Sequence, residues 1–275
     1  MREQRKLIEE VPWNVLVVMD ACRYDLLAER VGGVEQVASM ANVTYRWCNN
    51  FKKKFPADPI LWIVANPVVS RELSDRPNYT FIRVYEDKWG QHGPLYMPTC
   101  HPADVREAVF SYVADYGQPQ RMVVWFLQPH APYIGRDAIP YVTWGNSMKD
   151  PLSEAVMQHK SQGNGLKRSF QRGDVTADQL RAAYIGNLDV VLPNALKVFH
   201  TLDGVKVLTA DHGEMLGEYG EVEHSCPPSF TELLTVPWLT TERSTDYTPS
   251  EINRGVDRRT EDTLVSAKLQ ALGYV

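Results

Sequence analysis

The 275-residue sequence has no apolar run approaching the roughly 20 residues that a membrane-spanning helix needs. Its opening, Met1-Arg2-Glu3-Gln4-Arg5-Lys6, leads into no apolar signal region, so a cytoplasmic protein without an integral membrane segment is expected. Charge of one sign is scarce. The 29 basic and 34 acidic residues leave a modest net charge of −5, and nothing in it suggests a nucleic-acid binder. The four cysteines, Cys22, Cys48, Cys100 and Cys226, show no C-x-x-C spacing. That excludes a zinc knuckle or a thioredoxin-like pair and leaves reduced thiols as the simplest state. There is no internal repeat. What remains is 44% hydrophobic and 23% charged, the balance of a globular protein with one large core.

Continuous apolar runs at Val15–Met19, Ile60–Val64, 122–127 and 205–208 lack polar alternation. They read as strands covered on both faces, hence as a mostly parallel sheet. Helical patterns lie after Asp20, over Pro102–Tyr116 and over 176–199. In the last, Leu180, Tyr184, Leu188, Leu192 and Leu196 recur at spacing four and are expected to face the core, while Pro193 is expected to kink or split the helix. The alternation of strand and helix implies an α/β fold, a three-layer αβα arrangement around a mostly parallel, doubly wound sheet. A single domain over 1–275 is expected. Residues 131–174 are rich in glycine and proline with little periodicity and read as a loop insertion bordering an active site. Its Lys160, Lys167, Arg168 and Arg172 either attract an anionic substrate or form a solvated surface.

The most informative segment is Val207-Leu208-Thr209-Ala210-Asp211-His212-Gly213-Glu214-Met215-Leu216-Gly217-Glu218, where an apolar run stops at an adjacent carboxylate and imidazole. That pair is a metal-site signature, with Gly213 read as the source of backbone freedom for the turn. The run Val15–Met19 ends in Asp20 in the same way. Two strands each delivering a ligand at the carboxyl edge of a sheet is how open α/β folds build sites. The plainer roles are helix capping, by Asp20 for a helix over 21–30 and by Asp211 for one over 213–218. Asn42-Val43-Thr44 and Asn78-Tyr79-Thr80 match a glycosylation sequon, read as chance because no secretion signal is seen.

Asp20 in VVMDACRYD, Thr44 in NVTYRW, His130 in LQPHAPY, Asp211-His212 in TADHGEMLGE and His224 in VEHSCPP occur in an order and setting that resembles the sulfatase-like branch of the alkaline phosphatase superfamily. The resemblance runs from about Val15 to the closing Leu272-Gly273-Tyr274-Val275, which is similar to archaeal sulfatase-like members. It implies that Asp20, Thr44, Asp211 and His212 hold one divalent ion and that Thr44 is the nucleophile. The ion depresses the pKa of a coordinated hydroxyl and neutralises ester charge, so that a weak alcohol can attack. A helix starting near Thr44 would add N–H groups and dipole charge beside the anion. His130 and His224 resemble the second histidine pair of the family, which either holds a second metal or contacts substrate and leaving group. The residue one helical turn before His130, an aspartate in two-metal members, is Phe126 here, which favours the substrate and proton-donor role, with a second metal when substrate oxygens complete the site.

The formylglycine motif C-x-P-S-R of true sulfatases is missing, which favours phosphoryl transfer and weakens sulfate-ester activity; a phosphate ester, or a related sulfate or phosphonate ester, is the expected substrate. Ser39 is the rival nucleophile if the loop register differs; Thr44 is preferred because Thr44-Tyr45-Arg46-Trp47 resembles the T-x-x-W of archaeal members. Arg23 and Arg46 are read as substrate-binding forks, and Asp25, Glu214 and Glu218 as supporting or surface carboxylates. Mixed oxygen and nitrogen donors favour Zn²⁺ or Mn²⁺, with Mg²⁺ or Ca²⁺ as alternatives. The expectation is a metal-dependent hydrolase of an anionic ester acting through a threonine intermediate. The alternatives are transfer of a phospho-group to a sugar or lipid acceptor, and a non-catalytic protein that binds metal or ester.

Overall fold

A computed structural model describes residues 1–55, 58–140, 165–224 and 230–241. The chain divides into two compact units, Met1–Thr241 and Glu242–Val275, and every described residue lies in the first. Most of the expected insertion (141–164, with Lys160), Cys226 and the ending Leu272–Val275 lie outside the described residues.

The chain opens with β1 (Arg2–Glu3), α1 (Gln4–Glu10), β2 (Val15–Met19), α2 (Tyr24–Ala28), β3 (Glu35–Ala38) and α3 (Thr44–Lys54). Next come β4 (Ile60–Val64), α4 (Pro67–Leu73), β5 (Tyr79–Arg83), α5 (Val84–Lys88), the pair β6 (Trp89–His92) and β7 (Met97–Cys100), α6 (Pro102–Tyr116) and β8 (Met122–Phe126). Further along lie α7 (Leu166–Gln171), α8 (Ala177–Thr201), β9 (Lys206–Thr209), the short β10 (Met215–Leu216) and β11 (Val222–Glu223), α9 (Thr231–Leu234) and β12 (Thr235–Thr240).

Eight strands form one sheet in the order β1-β3-β12-β9-β2-β8-β4-β5, parallel except where β12 runs against β3 and β9. Helices cover both faces, as the three-layer reading requires. Every residue of β2, β4 and β8 is buried, which is why these strands are uniformly apolar. On one face α3 meets the sheet through aromatic rings: Trp47 lies edge-on to Trp125 at 5.1 Å and Phe51 edge-on to Trp62 at 5.2 Å. On α8, Leu180, Tyr184, Leu188 and Leu192 are buried and Leu196 is partly so, as spacing four requires. Among the described residues no helix is long and apolar enough to cross a membrane.

Three local expectations need correction. Pro193 does not split α8, which runs unbroken over 25 residues. Pro193 is exposed and four residues after the exposed Asp189, so the carbonyl deprived of a donor is on the solvent side of the helix. The helix expected over 21–30 shrinks to α2, with Arg23 rather than Asp20 at the N-cap position and no side-chain capping bond. Ala21 adopts a left-handed conformation with φ 57°, and the Tyr184 hydroxyl pins the turn by donating to Ala21 O at 2.7 Å and accepting from Arg23 N at 2.9 Å. Gly213, finally, is required for space and not for backbone freedom. Its φ is not left-handed, but a Cβ there would lie 1.9 Å from the carbonyl oxygen of Glu232.

Candidate metal centre

Because β9, β2, β8 and β4 are adjacent and parallel, their carboxyl ends share one edge of the sheet. Asp20 follows β2, Asp211 and His212 follow β9, His130 follows β8 and Asn66 follows β4. Thr44 arrives from outside the sheet as the first residue of α3. This is the edge where open α/β sheets collect ligands.

Asp20, Asp211 and His212 are fully buried, and one donor atom from each lies within 4.8 Å of the others. His212 Nε2 is 3.2 Å from Asp211 Oδ2 and 4.0 Å from Asp20 Oδ1. Thr44 Oγ1 donates to Asp211 Oδ2 at 2.8 Å and lies 3.4 Å from His212 Nε2. Gly213 O sits 2.7 Å from His212 Nδ1, which assigns the proton to Nδ1 and turns the Nε2 lone pair toward the carboxylates. Burial holds the His212 imidazole below its usual pKa despite the neighbouring Asp211, which favours the neutral ring that a metal would require.

The carboxylates are held by their outer oxygens. Asp211 Oδ1 accepts from Ala21 N at 3.0 Å, the bond that the left-handed turn at Ala21 makes possible. Asp20 Oδ2 accepts from Asn66 Nδ2 at 2.6 Å and from Trp125 Nε1 at 2.9 Å. Asp20 Oδ1, equally buried, has no hydrogen-bond partner. Burial, and then the nearby Asp211, push the Asp20 carboxyl well above its usual pKa. A buried carboxylate oxygen facing a second carboxylate and an imidazole lone pair is costly without a compensating cation. The residues therefore fit a divalent ion held by Asp20 Oδ1, Asp211 Oδ2 and His212 Nε2 beside the Thr44 hydroxyl.

A second group, His130, Glu214 and His224, also places one donor atom from each residue within 4.8 Å. His224 Nδ1 lies 3.0 and 3.3 Å from the two oxygens of Glu214, and the His212 and His224 rings are 4.4 Å apart, so the two groups adjoin. Burial alone would lower the His224 pKa, but the Glu214 carboxylate outweighs it and raises it to about 9. Glu214 is buried, which corrects the reading of it as a surface carboxylate, and its contact with His224 is that of a supporting one. The available signal was its spacing, since residues two apart in an extended segment share a face, and Glu214 stands two after His212.

The loop bearing His130 is fastened by Asn187 of α8. Its Oδ1 accepts from Ile134 N at 2.6 Å, and its Nδ2 donates to the carbonyls of His130 and Pro132 at 3.1 and 3.0 Å. Gly135 packs directly on Gly186, where a Cβ on Gly135 would lie 2.3 Å from the Gly186 carbonyl carbon.

The arginines are not where a substrate fork was expected. Arg23 is buried, with Nε and Nη2 donating to the two oxygens of Asp25 at 2.9 and 2.7 Å and Nη1 to Glu218. Its donors are consumed in holding the turn after Asp20. Arg46 lies on the exposed side of α3, held by Tyr45 Oη at 2.9 Å and Asn42 Oδ1 at 3.4 Å. Ser39 turns its Oγ to the backbone carbonyls of Ala41 and Asp211 instead of to the Asp211 carboxylate. Cys22, Cys48 and Cys100 are buried free thiols. In the described part of 131–174, Lys167 pairs with Glu221 and Arg172 with Asp174, so neither is left to a common anion site.

No protein-family model and no curated protein matches this sequence. Solved structures do. The integral membrane lipooligosaccharide phosphoethanolamine transferase A of Neisseria meningitidis is similar at a TM-score of 0.52 and 16% identity, over 82% of this chain and 46% of that one. This chain thus spans less than half of that protein's length. The soluble domain of the same transferase is similar at 0.50 and 15% identity, over 82% and 75% of the two chains. A 2-O GAG sulfatase is similar at 0.50 and 9% identity, over 84% and 64%. Together with the eight-stranded sheet, these likenesses give the chain the fold of the sulfatase-like branch of the alkaline phosphatase superfamily, the group its motifs resemble.

Proposed function

We propose that the protein is a divalent-metal-dependent enzyme that cleaves a phosphate ester through a covalent intermediate on Thr44. The observation that carries this reading is the Thr44 Oγ1 to Asp211 Oδ2 hydrogen bond at 2.8 Å beside the unpaired, buried Asp20 Oδ1. An alcohol at the start of an 11-residue helix, facing two buried carboxylates and a neutral imidazole, suits nucleophilic attack better than a structural role. Bound at Asp20, Asp211 and His212, a divalent ion would neutralise ester charge and make the threonine hydroxyl easier to deprotonate.

A Thr44 hydroxyl made more acidic by that ion would lose its proton to bulk water, leaving the alkoxide directed by Asp211 and His212. The bond from Thr44 Oγ1 to phosphorus then forms as the ester P–O bond breaks, and the opening N–H groups of α3 receive the anionic oxygens. His224, kept protonated by Glu214, donates its proton to the departing alkoxide. Water then attacks phosphorus and gives its proton to the now neutral His224 imidazole as the bond from phosphorus to Thr44 Oγ1 breaks, which yields the phosphate product, restores the threonine oxygen and recharges His224. The mixed donor set suits Zn²⁺ or Mn²⁺.

A test is turnover of 4-nitrophenyl phosphate and bis(4-nitrophenyl) phosphate by protein stripped with chelator and reloaded with Zn²⁺ or Mn²⁺. Activity should return with metal and vanish in Thr44→Ala, whereas equal rates in the two proteins would remove Thr44 as nucleophile. The two transferase structures among the fold relatives support a second reading, in which an acceptor alcohol replaces water. With a glycan acceptor in excess, a transferase releases little free phosphate and a hydrolase is unaffected.

A further inference from the structure

We propose that Gln4, the first residue of α1, is a positioning residue that sets the distance between the helix bearing Thr44 and the strand end bearing Asp211 and His212; this rests on the metal-centre reading above. Gln4 is fully buried, and each end of its amide is spoken for. Nε2 donates to Ala210 O at 2.6 Å and to Thr209 Oγ1 at 2.9 Å. Oε1 accepts from Trp47 Nε1 at 3.0 Å and lies 3.4 Å from both Ser39 Oγ and Met40 N. The orientation of the amide follows from its neighbours, since a carbonyl oxygen can meet only the NH₂ end and an indole N–H only the oxygen.

These partners adjoin the site along the chain and through hydrogen bonds. Ala210 precedes Asp211, and Trp47 stands three residues after Thr44, on the same side of α3. Ser39 Oγ also reaches Asp211 O. The same indole continues the path: Trp47 packs edge-on to Trp125, whose Nε1 donates to Asp20 Oδ2 at 2.9 Å. One amide from the opening helix is therefore tied, directly or through one ring, to the elements that carry Thr44, Asp20 and Asp211. The pairing of Arg2 and Glu3 with Val37 and Ala38, and the buried Leu7 and Ile8, anchor the backbone on either side of it. Neither leucine nor glutamate at position 4 can serve both sides. Leucine strands the Trp47 N–H and the Ala210 carbonyl, and a glutamate carboxylate opposes that carbonyl.

The test compares Gln4→Leu and Gln4→Glu with Leu7→Ala, which loosens the same helix without touching the amide. Melting temperatures are taken by circular dichroism, Mn²⁺ affinity by calorimetry, and kcat and KM with bis(4-nitrophenyl) phosphate. In the Gln4 variants Mn²⁺ affinity should fall by about 10- to 100-fold, as for other residues that orient metal ligands, and kcat should fall while KM holds. Leu7→Ala should lose melting temperature and keep both. Equal Mn²⁺ affinity in Gln4→Leu and Leu7→Ala overturns the proposal. If the wild type itself binds no Mn²⁺, the metal-centre reading fails, and amide hydrogen exchange then decides separately on Gln4. Faster exchange over 44–48 and 209–213 in Gln4→Leu than in Leu7→Ala sustains it; indistinguishable exchange overturns it.

Discussion

Asn66 donates from Nδ2 to Asp20 Oδ2 at 2.6 Å, and this bond leaves Asp20 Oδ1 turned toward His212 Nε2. Asn66 Oδ1 is itself fixed by accepting from Val68 N at 2.8 Å, so α4 holds the amide and the amide holds the carboxylate. Replacing Asn66 with alanine should weaken Mn²⁺ or Zn²⁺ binding by about 10- to 100-fold without unfolding the protein. Calorimetric titration checks this, and an unchanged dissociation constant would mean that Trp125 alone orients Asp20.

Glu214→Gln removes the charge that raises His224. With the folded pKa near 9, above the ordinary 6.5, His224 remains a proton donor until the pH climbs through about 9. The stabilisation from that proton is complete below the ordinary value and disappears over the same alkaline window. The alkaline limb of the pH profile of kcat should therefore lie near 9 in the wild type and shift toward neutrality in Glu214→Gln. A limb that stays in place would assign the proton to another group.

Gly213→Ala tests the space argument. Its backbone is open to any residue, but the added methyl would collide with the Glu232 carbonyl at 1.9 Å. A loss of about 1–3 kcal/mol in urea unfolding is expected from overpacking, with weaker metal binding as Asp211 and His212 are displaced. If alanine is tolerated in both measurements, the contact with Glu232 is not what limits the position.

Arg23→Gln should cost about 1.5–3 kcal/mol, because charge-assisted hydrogen bonds to Asp25 and Glu218 are lost. The lower end is favoured, since Asp25 is half exposed and regains water. KM for an aryl phosphate should change little, and a large rise in KM with intact stability would restore Arg23 to the substrate.

The strands β2, β4, β8 and β9 were legible because a parallel strand covered on both faces must be apolar throughout. The candidate ligands Asp20, Asp211 and His212 at the ends of β2 and β9 were picked out by the abrupt change of chemistry. The strand β12 was not legible: Pro237 interrupts it, and a proline inside an apolar run argues against a strand. Here Pro237 is accommodated between β3 and β9, and its carbonyl accepts from Thr209 Oγ1 at 2.6 Å. The sequence left Glu214 open between a supporting and a surface role because its burial depends on the β10 and β11 pair, which brings Glu223 opposite Met215 and His224 to the carboxylate. The ion pairs of Arg23 were not legible because a guanidinium near a candidate metal ligand looks the same in sequence whether its partner is a phosphate or Asp25.

By itself the sequence determined the layered α/β plan and the residues that end its central strands, because burial on both faces and the switch to Asp or His are written in neighbouring positions. Only the tertiary structure decided which carboxylate oxygen stays unpaired, that Glu214 completes the second group, and that Gln4 adjoins the site. The reason is distance along the chain: Thr44 and Asp211 are 167 positions apart and Gln4 and Ala210 are 206, and no local period records which buried donors and acceptors will meet when the layers close.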